Sequence, residues 1–171
     1  ALAQVISLLR PRAVFSRHIS AAGPWAVRYS AFGAPSFCAI LDGRCRLAVD
    51  GLDALLLEAG DFVLLPATPA FTMSGLDQAT PVLLDPAVMA GVRGAIRHGR
   101  QEAPADVRML GGWFAFDSPD SEWLVSLLPT QIHVRGVERL STLVRLVDDE
   151  TSQRRAGRDL ILARLVDVLL I

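Results

Sequence analysis

Short apolar runs, each cut within a few positions by Gly, Pro or Asp, fill residues 13–73 of the chain. Runs of this length that are rich in Val, Leu, Phe and Trp are typical of β-strands. The stretch LLLEAGDFVLLPATPAF, residues 55–71, shows the pattern most clearly. It predicts a strand, a Gly-Asp turn, a second strand that ends at Pro66, a short loop and a third strand.

The segment FCAILDGRCRLAV, residues 37–49, predicts a β-hairpin. Its centre, Asp42-Gly43, suits a two-residue type I′ turn, because both central residues of that turn have positive φ. The turn pairs Ile40 with Cys45, and alternation then separates a buried face from a solvent face. The buried face holds Cys38, Ile40, Cys45 and Leu47, and the solvent face holds Arg44 and Arg46.

Residues 85–98 leave two interpretations open. Asp85-Pro86 is a helix-start signal, and apolar residues follow it at helical spacing. Gly91 and Gly94 weaken a helix, however, and a loop followed by a strand over residues 95–98 fits equally well. The next apolar run, VRMLGGWFAFD at 107–117, predicts a strand whose glycine pair marks a bulge or a close backbone approach.

The period of the apolar pattern changes after Pro129. Residues 136–150 place Val137, Leu140, Val144 and Val147 on one helical face, and residues 158–171 continue as a second helix. A short helix over residues 3–9 is also predicted. The order of elements therefore predicts a mainly β barrel over residues 1–130 and a helical segment over residues 131–171.

Composition narrows the class of protein. The chain has 171 residues, 51% of them hydrophobic, which is enough for one sizeable core. A net charge of −1 gives no electrostatic reason for nucleic-acid binding by this chain. The apolar start of the chain is too short to span a membrane and lacks the order of a signal peptide. With only two cysteines and no disulfide framework, we expect a cytoplasmic setting.

Six segments together carry a resemblance to a known family. They are LLRPR, GPWAVRY, LDGRCRLAVDG, LEAGDFVLLP, LGGWFAFD and LLP, followed by the predicted helix pair. The chain resembles the cupin-type sensor domain at the N-terminus of AraC-family bacterial transcription regulators. That resemblance implies a double-stranded β-helix, or jelly-roll, barrel that senses a small effector or only dimerises, attached to a DNA-binding unit with two helix-turn-helix motifs.

We expect the DNA-binding unit that the resemblance implies to lie outside this chain. Ile171 ends the sequence on an apolar helical residue with no Gly, Pro or basic stop signal. We therefore expect the polypeptide to continue. P-loop and GxGxxG patterns are missing, which argues against nucleotide binding.

Metal-binding cupins use two closely spaced histidines and a carboxylate on one strand, and a third histidine after the GD…P turn. At the matching places this chain has Cys38, Ile40 and Phe71, and its three histidines lie elsewhere. Cys38 also lacks a neighbouring histidine that would activate it as a nucleophile. We expect no metal, no cofactor and no catalytic residue.

Strand alternation predicts which side chains line the barrel and bind the effector. Inside a barrel, aromatic residues can stack on a sugar or an aromatic effector, or they can simply fill the core. Two other functions remain open: a stand-alone cupin enzyme, such as a dioxygenase or isomerase, and an effector-free structural dimerisation module. The predicted lining residues are Trp25, Tyr29, Cys38, Cys45, Leu47, Phe71, Met73 and Trp113, the last near one mouth.

The terminal helix predicts a homodimer interface. Between Leu160 and Ile171 only Arg164 and Asp167 are charged, so apolar side chains spread around almost the whole helix. A helix packed on one barrel needs a stripe only a little over 100° wide, and a second copy of the helix pair would cover the surplus. The predicted contact residues are Leu162, Leu165, Val166 and Leu169.

Overall fold

The computed structural model describes residues 8–92 and 94–135, which form a curled sheet of ten strands with two short helices. The strands are β1 (Pro11–Ala22), β2 (Ala26–Tyr29), β3 (Ser36–Val49), β4 (Leu55–Glu58), β5 (Phe62–Leu65), β6 (Phe71–Ser74), β7 (Val82–Leu84), β8 (Ile96–Gly99), β9 (Val107–Phe116) and β10 (Ile132–Val134). The helices are α1 (Pro86–Ala90) and α2 (Ser121–Ser126). The mainly β architecture agrees with the fold class predicted from the sequence.

The strands form two layers that share β3. One layer has the order β8-β1-β9-β3-β5-β10, and the other has the order β7-β2-β6-β3-β4. β1 with β8 and β2 with β7 pair parallel, and the other pairs are antiparallel. The apolar faces of the two layers meet in one core cluster, which includes Val27, Leu47, Val63 and Met109.

The predicted hairpin at Asp42-Gly43 is wrong, because β3 runs through this dipeptide as one strand. Its first half pairs with β5 and β9, and its second half pairs with β4 and β6. A register shift between Ile40 and Asp42 inserts one extra residue, Leu41, opposite β9. Such a bulge bends the strand, which lets β3 pass from one layer to the other.

The bulge explains why the predicted burial is nevertheless right. Cys38 and Ile40 occupy even positions and Cys45 and Leu47 odd ones, and the extra residue between them restores a common inward face. Ile40, Cys45 and Leu47 are buried, Cys38 is half-buried, and Arg44 and Arg46 are exposed. Gly43 has φ +79°, and a Cβ there would overlap the carbonyl oxygen of Asp106. Asp42-Gly43 therefore lies next to a β-bulge within one strand and does not form a turn.

The stretch at residues 55–71 forms the three predicted strands, β4, β5 and β6. The turn between β4 and β5 does not join hydrogen-bonded neighbours, since β4 pairs with the second half of β3 and β5 with the first. The backbone amide of Gly60 donates to Ile40 at 3.0 Å, and that of Ile40 donates to Asp61 at 2.9 Å. The Gly-Asp turn is thereby fixed against the bend in β3.

Each of the two interpretations of residues 85–98 holds in part: a helix follows Asp85 but ends at Ala90, and a strand follows it at Ile96. α1 begins after Asp85, whose side chain accepts a hydrogen bond from the backbone of Ala87 and so caps the helix. It ends at Ala90, before Gly91, and β8 follows at Ile96–Gly99. In β9, the predicted close approach is at Gly111, where a Cβ would lie 2.9 Å from Ile19.

The segment predicted to be helical, residues 131–171, begins with a strand in the part that the structure describes. Residues Ile132–Val134 form strand β10, which pairs with β5 in the barrel. The helix pair predicted after it lies outside the described residues, as do the predicted dimer contacts Leu162, Leu165, Val166 and Leu169. Most of the helix predicted at residues 3–9 lies outside them as well. Across the described ranges, no helix is long and apolar enough to cross a membrane.

Candidate ligand-binding cavity

A cavity of about 90 Å³ lies between the two layers of the barrel. Its size is of the same order as the ~150 Å³ engineered apolar cavity that holds a benzene molecule. Residues of β1, β2, β3, β5, β6, β8 and β9 form its walls, and α1 contributes to the lining through Pro86 and Met89. The wall residues include Tyr29, Ser36, Cys38, Leu47, Val63, Leu65, Phe71, Met73, Met109, Gly111 and Trp113.

The structure brings six of the eight predicted lining residues to this cavity: Tyr29, Cys38, Leu47, Phe71, Met73 and Trp113. The other two, Trp25 and Cys45, are buried in the core but do not line the cavity. Trp25 stacks on His98 instead, with ring centroids 5.6 Å apart, and Cys45 pairs with Leu57 of β4. Ligand binding by the six residues stays a prediction.

Several lining residues were missed by the sequence reasoning. Met109 and Gly111 share the strand parity of Trp113 on β9, so extending the alternation from Trp113 would have found them. Val63 and Leu65 lie in β5, where all four residues are buried and no alternation marks the inward side. Met89 reaches the cavity from α1, and nothing local in the sequence marks that position as inward.

The polar groups of the lining are few. The hydroxyl of Ser36 lies 2.6 Å from that of Thr68, which itself donates to the carbonyl of Ala34. The thiol of Cys38 donates to the sulfur of Met109 at 3.7 Å. The hydroxyl of Tyr29 has no hydrogen-bond partner within residues 8–92 and 94–135. It is therefore available to a ligand.

The titratable groups of the cavity are neutral at physiological pH. Burial raises the pKa of Tyr29 to about 12, and the neighbouring Cys38 adds to the effect. Burial also raises the pKa of Cys38 well above its ordinary value, with a smaller contribution from Cys45. Cys38 is half-buried by surface area, but it lines the cavity, so its thiol is screened from bulk water. Among the described lining residues, none is Asp, Glu, Arg or His.

Two pairs of aromatic rings border the cavity. Tyr29 stacks on Phe71 with ring centroids 5.0 Å apart and planes inclined by 18°. Phe32 and Trp113 meet in a tilted pair, 5.9 Å between centroids. Trp113 also lines an open groove beside α2, so it stands between the cavity and the surface, as the sequence predicted for a mouth.

The described histidines do not converge on a metal site. His98 stacks on Trp25, and its pKa is lowered by burial. His18 contacts Arg108 on the exposed side, and His133 lies near Asp61. Within the part of the chain that the structure describes, no group of three or more His, Cys, Asp or Glu side chains could hold a metal ion. Phe71, which the resemblance matches to a histidine of metal-binding cupins, lines the cavity as an apolar ring.

A buried carboxylate connects the cavity wall with the end of β10. The side chain of Asp61 is 2% exposed and accepts a hydrogen bond from the backbone of Glu58 at 2.8 Å. Arg135 donates to both of its oxygens at 3.1 Å. His133 approaches at 3.5 Å, which is too long for a hydrogen bond. Asp61 directly precedes β5, which carries the cavity residues Val63 and Leu65.

Comparisons with known proteins agree with this geometry. The chain matches the sequence family described as Cupin over residues 1–171. It is 31% identical to a putative AraC-like transcription regulator of Streptomyces lividans and 30% identical to one of Streptomyces antibioticus, in each case over 99% of this chain. It spans 57% of the length of both relatives.

The chain belongs to the cupin family, and its curated relatives are AraC-like regulators, as the resemblance predicted. Solved structures of ToxT from Vibrio cholerae are more distant. An apo form is 8% identical with a TM-score of 0.47, covering 90% of this chain and 52% of ToxT. A form with bound unsaturated fatty acid is 11% identical with a TM-score of 0.46, covering 91% and 52%. At these scores the likeness carries nothing about the ligand.

Proposed function

We propose that this chain is the effector-sensing part of an AraC-like transcription regulator and is not an enzyme. In this proposal, a small molecule occupies the cavity inside the cupin barrel. Its presence is communicated to a DNA-binding unit elsewhere in the regulator, which works as a cytoplasmic homodimer. The observation that carries the proposal is the cavity itself, an apolar space lined by side chains from both layers.

The residues around the cavity support binding better than catalysis. Acid–base catalysis needs a group that can gain or lose a proton near neutral pH, and nucleophilic catalysis needs a group that can attack the substrate at that pH. Burial raises the pKa values of the two titratable groups in the described lining, the Tyr29 hydroxyl and the Cys38 thiol, and so keeps them protonated. The enzyme alternative therefore has no candidate residue among the described residues that line this cavity.

The contact between Asp61 and Arg135 supplies a route for communication. Val63 and Leu65 line the cavity from β5, and β5 pairs with β10. Arg135 directly follows β10. Its guanidinium is hydrogen-bonded to Asp61, the residue that directly precedes β5. A ligand that pushes β5 outward would move this pair, and with it the start of the segment after residue 135. Coupling between two sites requires a structural element with two alternative arrangements, and in this proposal that element is β5 with the Asp61–Arg135 pair.

The effector-free dimerisation module is the second candidate. It would have its barrel filled by its own side chains, whereas the structure leaves a cavity of about 90 Å³. Native proteins pack their interiors with few voids larger than a water molecule. A cavity of this size is therefore better explained by a ligand than by imperfect packing.

Filling the cavity is the direct test. Cys38→Phe and Phe71→Trp each enlarge a lining side chain, whereas Leu56→Phe enlarges an exposed one on β4 as a matched control. Native mass spectrometry of the chain with a bacterial small-molecule extract identifies the bound molecule, and thermal unfolding measures its effect. We expect the wild type and Leu56→Phe to bind it and the two cavity variants to lose binding while remaining folded. Equal binding by all four proteins would place the site elsewhere and contradict the proposal.

A further inference from the structure

We propose that the effector is a small, uncharged aromatic molecule with one hydrogen-bonding group, and that this group binds the hydroxyl of Tyr29. The inference rests on the proposed sensing function and deepens it by naming the ligand class. It comes from three features of the cavity: the absence of charge in its described lining, the one hydroxyl without a partner, and the concentration of sulfur and aromatic groups.

The lining excludes a charged effector. An ion that enters the cavity loses its water and finds no opposite charge, since no described lining residue is ionised at neutral pH. Burying an unpaired charge is strongly unfavourable. The buried carboxylate of Asp61, at the start of β5, is already engaged by Arg135 and the amide of Glu58.

The lining also disfavours a sugar. A sugar carries several hydroxyl groups, and each buried hydroxyl without a partner costs free energy. Here the hydroxyl of Ser36 is engaged by Thr68, and the thiol of Cys38 by Met109. That leaves the hydroxyl of Tyr29 as the free side-chain hydroxyl among the described lining residues. One hydrogen bond suits a ligand with one polar group.

The sulfur and aromatic groups favour an aromatic ring over an aliphatic one. All three methionines of the chain, Met73, Met89 and Met109, line the cavity together with Cys38. Thioether sulfur is polarisable and makes favourable contacts with aromatic rings, and methionine adapts its shape to the ligand. The stacked rings of Tyr29 and Phe71 offer a further surface for an aromatic ligand.

A panel of matched probes tests this ligand class on the full chain by calorimetric titration at pH 7. Phenol carries both features, toluene lacks the hydroxyl, cyclohexanol lacks the aromatic ring, benzoate adds a charge, and L-arabinose represents sugars. We expect phenol to bind about fivefold more tightly than toluene, which corresponds to one ordinary hydrogen bond. We also expect it to bind more tightly than cyclohexanol, and benzoate and arabinose to bind more than about a hundredfold more weakly.

Tyr29→Phe removes only the hydroxyl and keeps the ring stacked on Phe71. In this variant phenol and toluene should bind equally, with the affinity for toluene unchanged. If Tyr29→Phe does not fold, the order of the five probes on the wild-type chain still decides the inference. Toluene binding as tightly as phenol to the wild type would overturn the role of Tyr29.

The failure of this inference is distinguishable from failure of the proposed function. If benzoate, arabinose or cyclohexanol binds the wild type more tightly than phenol, and Cys38→Phe abolishes that binding, the cavity is a sensor site for another ligand class. If none of the probes binds and no molecule from the extract binds in a way that Cys38→Phe abolishes, both proposals are wrong.

Discussion

The carboxylate of Asp61 accepts two hydrogen bonds from the guanidinium of Arg135, each 3.1 Å long. The two residues are unequally placed, since the side chain of Asp61 is 2% exposed and that of Arg135 is 58% exposed. The pair joins the Gly-Asp turn before β5 to the residue that follows β10. It therefore holds together two neighbouring strands at the edge of one layer.

We expect Asp61→Ala to lower the free energy of unfolding by about 2–3 kcal/mol, mainly because it leaves the amide of Glu58 without its partner. Arg135→Gln should destabilise less, since the guanidinium is largely solvated. Urea unfolding measures both. Arg28→Gln, which breaks an exposed 2.7 Å pair with Asp50, is the control and should have little effect. A loss for Asp61→Ala no larger than for this control would contradict the prediction.

Gly43 and Gly51 provide a matched pair for the bulge in β3. Both have positive φ, +79° and +85°, but a Cβ at Gly43 overlaps the carbonyl oxygen of Asp106, whereas Gly51 has open space. Gly51→Ala should cost only the left-handed strain, about 1–2 kcal/mol. Gly43→Ala adds a backbone clash, and we expect a total of about 2–5 kcal/mol. Chemical unfolding of both variants compares them, and equal losses would show that Gly43 is not sterically required.

Stability should fall at alkaline pH because of buried thiol and phenol groups. Burial, with a smaller contribution from Asp61, raises the pKa of Cys45 from 9.0 to about 12. The stability that the protonated Cys45 thiol contributes is fully present below pH 9. It is lost as the pH rises towards 12, because the thiol loses its proton at lower pH in the unfolded chain than in the folded one. One such group contributes a slope of up to ~1.4 kcal/mol per pH unit in this window.

Urea unfolding at a series of pH values from 8 upwards checks this slope. Cys45→Ala should be less stable at pH 8 but lose stability less steeply above pH 9. Tyr29→Phe should flatten the curve only above pH 10, because the pKa of Tyr29 rises from 10.0 to about 12. Parallel curves for the wild type and Cys45→Ala would rule out the buried thiol as the cause.

The isolated chain should not bind DNA. Its net charge of −1 leaves little positive potential to neutralise phosphates. A gel shift at low salt with random duplex DNA measures this, with bovine albumin as a negative reference. Binding in the micromolar range that weakens as salt is added would show that the chain carries its own DNA-binding surface.

The sequence pattern of residues 160–171 predicts that the chain dimerises. Leu165→Asp and Leu169→Asp place a charge on the predicted contact face, and we expect each to weaken the dimer. Sedimentation at micromolar concentration distinguishes dimer from monomer. Asp167→Asn, on the same segment, is the control and should leave the dimer intact. A monomeric wild-type chain would refute this prediction.

The sequence alone was enough for the mainly β fold, the three strands that begin within residues 55–71, the burial pattern of residues 37–49 and the family, but not for the course of β3 or for β10. Alternation along residues 37–49 and 55–71 depends on local geometry, because successive side chains of a strand point to opposite faces wherever the strand lies. Tyr29, Cys38, Leu47, Phe71, Met73 and Trp113 could thus be assigned to the interior before their partners were known. The Gly-Asp turn and Pro66 carried the resemblance to cupins for the same local reason.

Tertiary structure decided how the strands pair and where the space inside them lies. Asp42-Gly43 is compatible with a tight turn or with a bulge. The difference depends on β9 and the residue before it, because the Asp106 carbonyl faces Gly43 and Arg108 of β9 pairs with Asp42. The placement of Trp25 and Cys45 in the core but away from the cavity depends on which residues oppose them, namely His98 and Leu57. Asp61 and Arg135 lie 74 positions apart, so no local pattern could pair them. These features arise from contacts between distant segments, and only the folded chain brings those segments together.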